Sequence, residues 1–267
     1  MDSFEKDSFM LIMLSPAKTM DMSSESVSGF PAGTEPVFAA DARKLATAMR
    51  RFSEAELAKM LKISPALAAQ NYERYRLFGR PSNPRKEAIA AYNGSVFKAI
   101  GAATLTADDL LYAQDRIRIV STLYGLVRPL DRIEAYRIAF SLKLFPEQGN
   151  LYDYWLPKLT EPLIADVRKA GGILVNLASL DIQGALRMDE VRRAVRVVTP
   201  EFQELRDGRY ETVRTYAKIC RGVMTRHIIQ QRIESADELV KFMWNGFAFN
   251  PEVSDGERYV FTRERRP

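Results

Sequence analysis

The chain has 267 residues, with 39 lysines and arginines against 34 acidic residues, a net charge of +5. Hydrophobic residues make up 46 % of it, enough for a full core, so disorder is excluded as the default; the mild basic excess permits a polyanionic partner without requiring one. A single cysteine, Cys220, excludes an internal disulfide, and with a single histidine, His227, leaves no basis for the usual cysteine–histidine zinc site.

Residues 1–9 read as an N-terminal extension, since Met10 directly opens the first strand. Asp2, Glu5, Lys6 and Asp7 do not make a cationic signal segment. Phe9–Leu14 is an unbroken apolar run, far too short to span a membrane, and predicts a buried strand. A cytoplasmic location with no membrane partner follows as the expectation. Pro16 ends the strand and throws Lys18 into the loop at its C-terminal end. Residues 21–36, rich in Ser, Gly and Pro, predict a long loop.

Helical spacing runs from Val37 to Arg51. Ser53 and Glu56 form a capping box for a second helix, and Ser64 followed by Pro65 reads as an N-cap with proline at the first helical position. Two helices joined by Lys62-Ile63-Ser64 make a helix-hairpin-helix-like element. After Pro81, Asn83 and Pro84 a helix is predicted to Tyr92, broken at Asn93-Gly94. Thr106 to Asp109 caps another helix, and Ile117–Val120 is a short strand. Leu151–Ala170 reads as a helix with Pro157 as its weak point, stopped by Gly171-Gly172. Ile173–Val175 and Val195–Val198 are strands, and Glu204–Tyr216 is a hairpin turning at Asp207-Gly208. Lys218–Ile233 is a helix, Ser235 caps a short one, and Arg258–Thr262 is a final strand.

Helices and strands interleave without a steady βαβ period, and no repeat is present. The fold class is α+β: a single domain over residues 10–267, with a central mixed sheet, surrounding helices and a helical sub-lobe at about 37–80.

The chemistry-bearing residues each carry two readings. Lys18 follows a strand and a proline, a common place for a ligand site; it can contact phosphate, act as an amine nucleophile, or be a plain loop lysine. Lys218, Arg221, Gly222 and Thr225 fall at helical spacing on one face, with Arg226 one residue on. That face is a phosphate-binding ridge or an ordinary solvated one. Arg128 either pairs with Asp131 as a clamp or offers its fork to phosphate. Arg137 is similar, and Tyr136 beside it is a candidate for stacking on a base. At the 62–64 turn, Lys62, Ser64 and main-chain N–H groups are candidate backbone contacts, helped by Lys59 and Arg74, although the turn lacks glycine. Arg187, Arg192, Arg193 and Arg196 form a basic run that a solvated helix explains equally well. His227 reads as a partly buried histidine and Cys220 as a buried, inert thiol.

Seven segments in series resemble the YaaA family of peroxide-stress proteins: Ser15-Pro-Ala-Lys-Thr19, Tyr92–Phe97, Leu123–Asp131 (LYGLVRPLD), Ala135-Tyr-Arg137, Leu151–Trp155, Asn176-Leu-Ala-Ser179 and Tyr216–Arg226. The resemblance covers Met10 to the C-terminus. It implies a mixed α+β fold with a basic cleft and a helix-hairpin-helix element, binding of double-stranded or branched DNA, and a role in limiting peroxide and iron damage. The chain departs from the family after Ser179: the family continues Glu-Tyr and then a lysine, whereas Leu180-Asp-Ile-Gln-Gly184 stands here.

Three readings follow. The first is a DNA-binding protein of the peroxide-stress response, binding by phosphate contacts without strong sequence preference. The second is a lyase- or glycosylase-like enzyme on damaged DNA, with Lys18 or Lys218 as the amine and Asp131 or Asp181 as acid or base. The third is an iron-binding protein using carboxylates alone. No cofactor or resident metal is expected, and the expected state is a monomer.

Overall fold

The computed structural model describes residues 9–23 and 29–264. Residues 1–8 of the expected extension, residues 24–28 of the expected loop and residues 265–267 lie outside the described residues. Phe9, assigned to the extension, is tied to the fold. Its amide donates to the Ala170 carbonyl (3.0 Å) and its ring carries the Arg116 guanidinium 4.0 Å from its centre.

The strands are β1 (Met10–Leu14), β2 (Lys86–Glu87), β3 (Ile117–Ser121), β4 (Gly125–Val127), β5 (Arg132–Ile133), β6 (Ile173–Asn176), β7 (Arg196–Arg206), β8 (Arg209–Glu211), β9 (Met243–Trp244), β10 (Phe247–Phe249) and β11 (Arg258–Glu264). The main sheet runs β4-β3-β1-β6-β7-β11-β10-β9, with β8 added to β7. Its centre is parallel: β3, β1, β6, β7 and β11 all point one way. β4, β8 and β10 join it antiparallel, and β9 pairs antiparallel with β10, so the sheet is mixed as expected. β2 and β5 form a separate two-stranded ribbon. All five residues of β1 are buried, which is why its sequence is a continuous apolar run rather than an alternating one.

The helices are α1 (Ala39–Met49), α2 (Glu54–Leu61), α3 (Pro65–Leu77), α4 (Ala88–Ala91), α5 (Ser95–Ile100), α6 (Ala107–Arg116), α7 (Leu151–Lys169), α8 (Leu180–Gln183), α9 (Met188–Ala194) and α10 (Arg214–Gln231). The capping boxes at Ser53/Glu56 and Thr106/Asp109 form as read, and Ser64 caps α3 with Pro65 at its first position. α7 runs unbroken through Pro157 and Pro162. Each proline forfeits one backbone hydrogen bond. Burial of Tyr154, Trp155, Leu159, Leu163, Ile164 and Val167 along one stripe offsets that loss.

Several segments differ from expectation. The Glu204–Tyr216 hairpin ends at Glu211, and the helix expected from Lys218 begins at Arg214. The helix predicted to reach Tyr92 begins as β2, because Lys86 and Glu87 pair with Ile133 and Arg132, and only the single turn of α4 is helical. Residues 124–131 read as a loop following the Ile117–Val120 strand, but they contain β4, which folds back on β3 with Gly125 opposite Ser121. Gly125 is at φ 65°, and a side chain there would meet Phe38, Trp155 and Leu159 within about 3 Å. Finally, Asn245-Gly246, with φ of 49° and 82°, turns the unanticipated β9–β10 hairpin. The anticipated Asp207-Gly208 turn has the same backbone pattern, at 49° and 78°.

Among the described residues no helix is long and apolar enough to cross a membrane.

Candidate functional site

β1 lies between β3 on one side and β6 on the other, so the chain leaves the C-terminal ends of neighbouring parallel strands in opposite directions. Such a switch point opens a crevice at the sheet edge. Here the loop after β1 (Ser15–Thr19) and the loop after β6 (Leu177–Ser179) form its floor. They are locked together: the Ser15 and Ser179 hydroxyl oxygens are 2.9 Å apart, and the Ser179 amide donates to Ser15 Oγ at 2.8 Å.

The loop after β1 is also clamped to the segment before α5. The Asn93 amide donates to the Thr19 carbonyl (2.9 Å), the Thr19 hydroxyl donates to the Asn93 carbonyl (2.8 Å), and Met20 bridges to Tyr92. Gly94 sits against Ala17, whose methyl would be 2.9 Å from any Cβ at 94. α10 then packs on α5 through Gly222: a Cβ there would lie only 2.2 Å from the Val96 carbonyl oxygen. This chain of contacts carries the second turn of α10, with Lys218 and Arg221, to the crevice.

Two hollows flank the Ser15–Lys18 segment. One, about 340 Å³, is lined by Lys18, Thr19, Ser95, Lys218 and Arg221 among others. The other, about 270 Å³, is lined by Lys18, Thr122, Arg137, Phe140, Ser141 and Tyr152 among others. Ser15, Ser179 and Asp181 line both. Lys18, Arg137, Lys218 and Arg221 thus converge on one crevice, with Asp181 as the carboxylate among them. Among the described residues, the side chains of Lys18, Lys218 and Arg221 have neither a salt bridge nor a hydrogen bond. Burial pulls Arg221 below the usual arginine value, and only the more distant Glu201 charge opposes that. Arg74 on α3 is likewise held down, first by burial and then by the neighbouring Arg137 charge. Lys18 and Lys218 are exposed, whereas Arg221 is half-buried without a partner, and an incoming anion would repay its desolvation.

Other predicted site residues are engaged elsewhere. Gly222 and Thr225 are buried, Gly222 against α5 and Thr225 with its hydroxyl on the Arg221 carbonyl (2.8 Å). Arg226 closes the end of α5, donating to the carbonyls of Ile100 and Gly101 and to the Thr104 hydroxyl. Arg128 takes the clamp reading: its fork grips Asp131, which is fully buried and also accepts from Thr34 Oγ1 at 2.6 Å. Tyr136 is buried, its hydroxyl 2.8 Å from that of Tyr92 and 2.7 Å from Ser121 Oγ. Arg137 reaches the crevice, where it donates to the Lys18 carbonyl at 3.4 Å.

At the α2–α3 corner, Lys62 and Ser64 are exposed, and Lys62 adopts the left-handed conformation (φ 53°). The amides of Lys62 and Ile63 both donate to the Ala58 carbonyl, and Pro65 has none to give. Tyr75, near the far end of α3, ties this helix to the crevice wall by donating to the Arg137 carbonyl at 2.6 Å. Arg187, Arg192 and Arg196 pair with Glu190, Asp189 and Asp237.

Cys220 is buried and desolvation pushes its thiol up to about 12. His227 is held down by burial and meets Phe242 edge-on at 5.6 Å. Among the described residues no three His, Cys, Asp or Glu side chains gather to hold a metal ion.

Sequence reasoning singled out Lys18, Arg137, Asp181, Lys218 and Arg221 but missed Thr122, Phe140, Ser141 and Tyr152 as lining residues. Ser15 and Ser179 were within reach, since both fall in segments that carry the resemblance, Ser15–Thr19 and Asn176–Ser179, just after the Phe9–Leu14 and Ile173–Val175 strands.

Residues 10–253 match the family described as peroxide stress protein YaaA. UPF0246 proteins are similar along nearly their whole length. That of Parabacteroides distasonis is 45 % identical over 96 % of this chain and 100 % of its own. One from Bacteroides fragilis is 45 % identical over 95 % and 98 %, and one from Clostridium beijerinckii 38 % over 96 % and 98 %. The chain therefore belongs to the YaaA peroxide stress protein family.

Proposed function

We propose that this protein binds DNA in the crevice at the C-terminal edge of the parallel strands, as part of the peroxide-stress role that its family membership supports. The observation that carries this reading is the sorting of its basic residues. Arg128, Arg226 and Arg263 are spent on carboxylates and carbonyls inside the fold. Lys18, Lys218 and Arg221 have no such partner and face one crevice, with Arg137 on its wall. Unpaired cations along a groove supply phosphate contacts that are independent of sequence and sensitive to salt. α10, which carries Lys218 and Arg221, buries Gly222 and Thr225 against its neighbours and so is not free to enter a major groove. Backbone binding to duplex or branched DNA is the matching mode.

Titration of a labelled duplex and a labelled four-way junction, monitored by anisotropy over a salt series, tests it. Binding that weakens steeply with salt supports the reading; absence of binding to both at low salt removes it.

A lyase reading would need an amine poised beside an acid or base. Lys18 and Asp181 do share both hollows, so product analysis on abasic duplex belongs beside the binding assay. Asp131 does not serve this reading, being buried and saturated by Arg128 and Thr34.

A further inference from the structure

We propose that the hollow on the Arg137 side of the Ser15–Lys18 segment receives a single nucleotide turned out of a duplex, with Leu180 filling the space it leaves in the base stack. This rests on the DNA reading above and names what the crevice takes.

The two hollows differ in chemistry although they share a wall. The one facing α10 is cationic, with Lys18, Lys218 and Arg221. The other has an aromatic wall, where the rings of Phe140 and Tyr152 stack at 4.9 Å and 14°. The small polar residues Thr122, Ser141 and Ser179 line it too. An apolar wall facing a few hydroxyls is the composition that holds an extruded base, gripping its face and reading its edge. At about 270 Å³ the hollow is at the small end for a ligand pocket, which suits one base with its sugar. Asp181 adds an acceptor suited to an exocyclic amine.

The two hollows meet at Ser15–Lys18, so a strand laid across that segment puts its phosphate near Lys18, Lys218 and Arg221 and its nucleotide in the aromatic-walled hollow, where Arg137 and Asp181 are the further charged groups. Leu180 stands at the same junction. It is 81 % exposed, and its chain neighbours Ser179 and Asp181 line both hollows. A single exposed leucine on a protein surface needs no explanation. One whose two chain neighbours line both the aromatic-walled hollow and the cationic one is placed as are the apolar wedges that proteins insert between base steps.

The test uses the full chain and a duplex carrying one 2-aminopurine, whose emission is quenched by stacking, with a fluorescein at one end for anisotropy. Wild type at saturation is expected to raise the 2-aminopurine emission severalfold. Losing one leucine from the stack should lower the flipped-to-stacked ratio about tenfold in Leu180→Ala. Leu111→Ala removes another exposed leucine, on α6 and outside both hollows, and should match wild type in both signals. Free deoxyadenosine monophosphate should reverse the 2-aminopurine rise while the duplex stays bound. If the anisotropy rises but the emission does not, the inference is overturned and DNA binding stands. If deoxyadenosine monophosphate binds the protein while no emission change accompanies duplex binding, the hollow takes free nucleotides and the inference is also overturned. If anisotropy shows no binding at low salt, the DNA reading itself fails.

Discussion

Ser15 and Ser179, 164 positions apart in the chain, stitch the ends of two parallel strands together: their hydroxyl oxygens are 2.9 Å apart and Ser15 Oγ accepts the Ser179 amide at 2.8 Å. The stitch fixes the floor on which both hollows rest. Ser15→Ala leaves a part-buried amide without its acceptor, whereas Ser179→Ala removes only one hydroxyl. Urea unfolding should therefore give a loss of about 1–2 kcal/mol for Ser15→Ala and clearly less for Ser179→Ala.

Gly222 should prove to be a packing residue. Gly222→Ala drives a methyl towards the Val96 carbonyl, with 2.2 Å available, and backbone cannot swing aside as a side chain can. A loss of about 1–3 kcal/mol is expected, read as a lower unfolding midpoint. Unchanged stability with weakened DNA binding would instead make Gly222 a ligand contact.

Cys220 should be silent towards oxidants. Its thiol is fully buried and pushed up to about 12, so almost no thiolate exists at neutral pH. Mass spectrometry after iodoacetamide or hydrogen peroxide should find it unmodified in the native protein and modified after unfolding in guanidinium. Rapid native labelling would reopen a redox-sensing role.

Glu204 ties β7 to β11 through Arg263, with Oε2 2.6 Å from Nη2, and also accepts from Arg206. These hydrogen bonds, that from Arg263 first, hold its carboxyl below the ordinary value of 4.5. The folded state therefore binds this proton less readily than the unfolded chain. Its contribution is complete above the unfolded value and lost as pH falls through the lower folded one. Melting temperature followed from neutral to acid pH should drop across that window. In Glu204→Gln it should start lower at neutral pH and fall less steeply.

Much of the fold was legible because local signals agreed with tertiary structure. The continuous apolar runs of β1 and β6 announced strands buried on both faces, and Ser53, Ser64 and Thr106 announced helix starts. β2 and β5 were not legible, since each is two residues long and exists only through the other. The crevice was half legible. Lys18 is marked by a strand followed by proline, but nothing local to Lys218 or Arg221 tells them from Arg226. What separates the three is the packing of α10 on α5, which leaves Arg221 unpaired and gives Arg226 the carbonyls of Ile100 and Gly101. Likewise, Arg128 beside Asp131 was equally suited to phosphate or clamp until the burial of Asp131 decided it.

The most direct test is the salt dependence of duplex binding for wild type beside Lys218→Ala/Arg221→Ala. Both side chains are unpaired, so their loss should leave stability nearly unchanged. The predicted result is weaker binding, with the slope of log affinity against log salt shallower by about 2, one for each phosphate contact removed. An unchanged slope and affinity in the double variant would contradict the placement of DNA in this crevice.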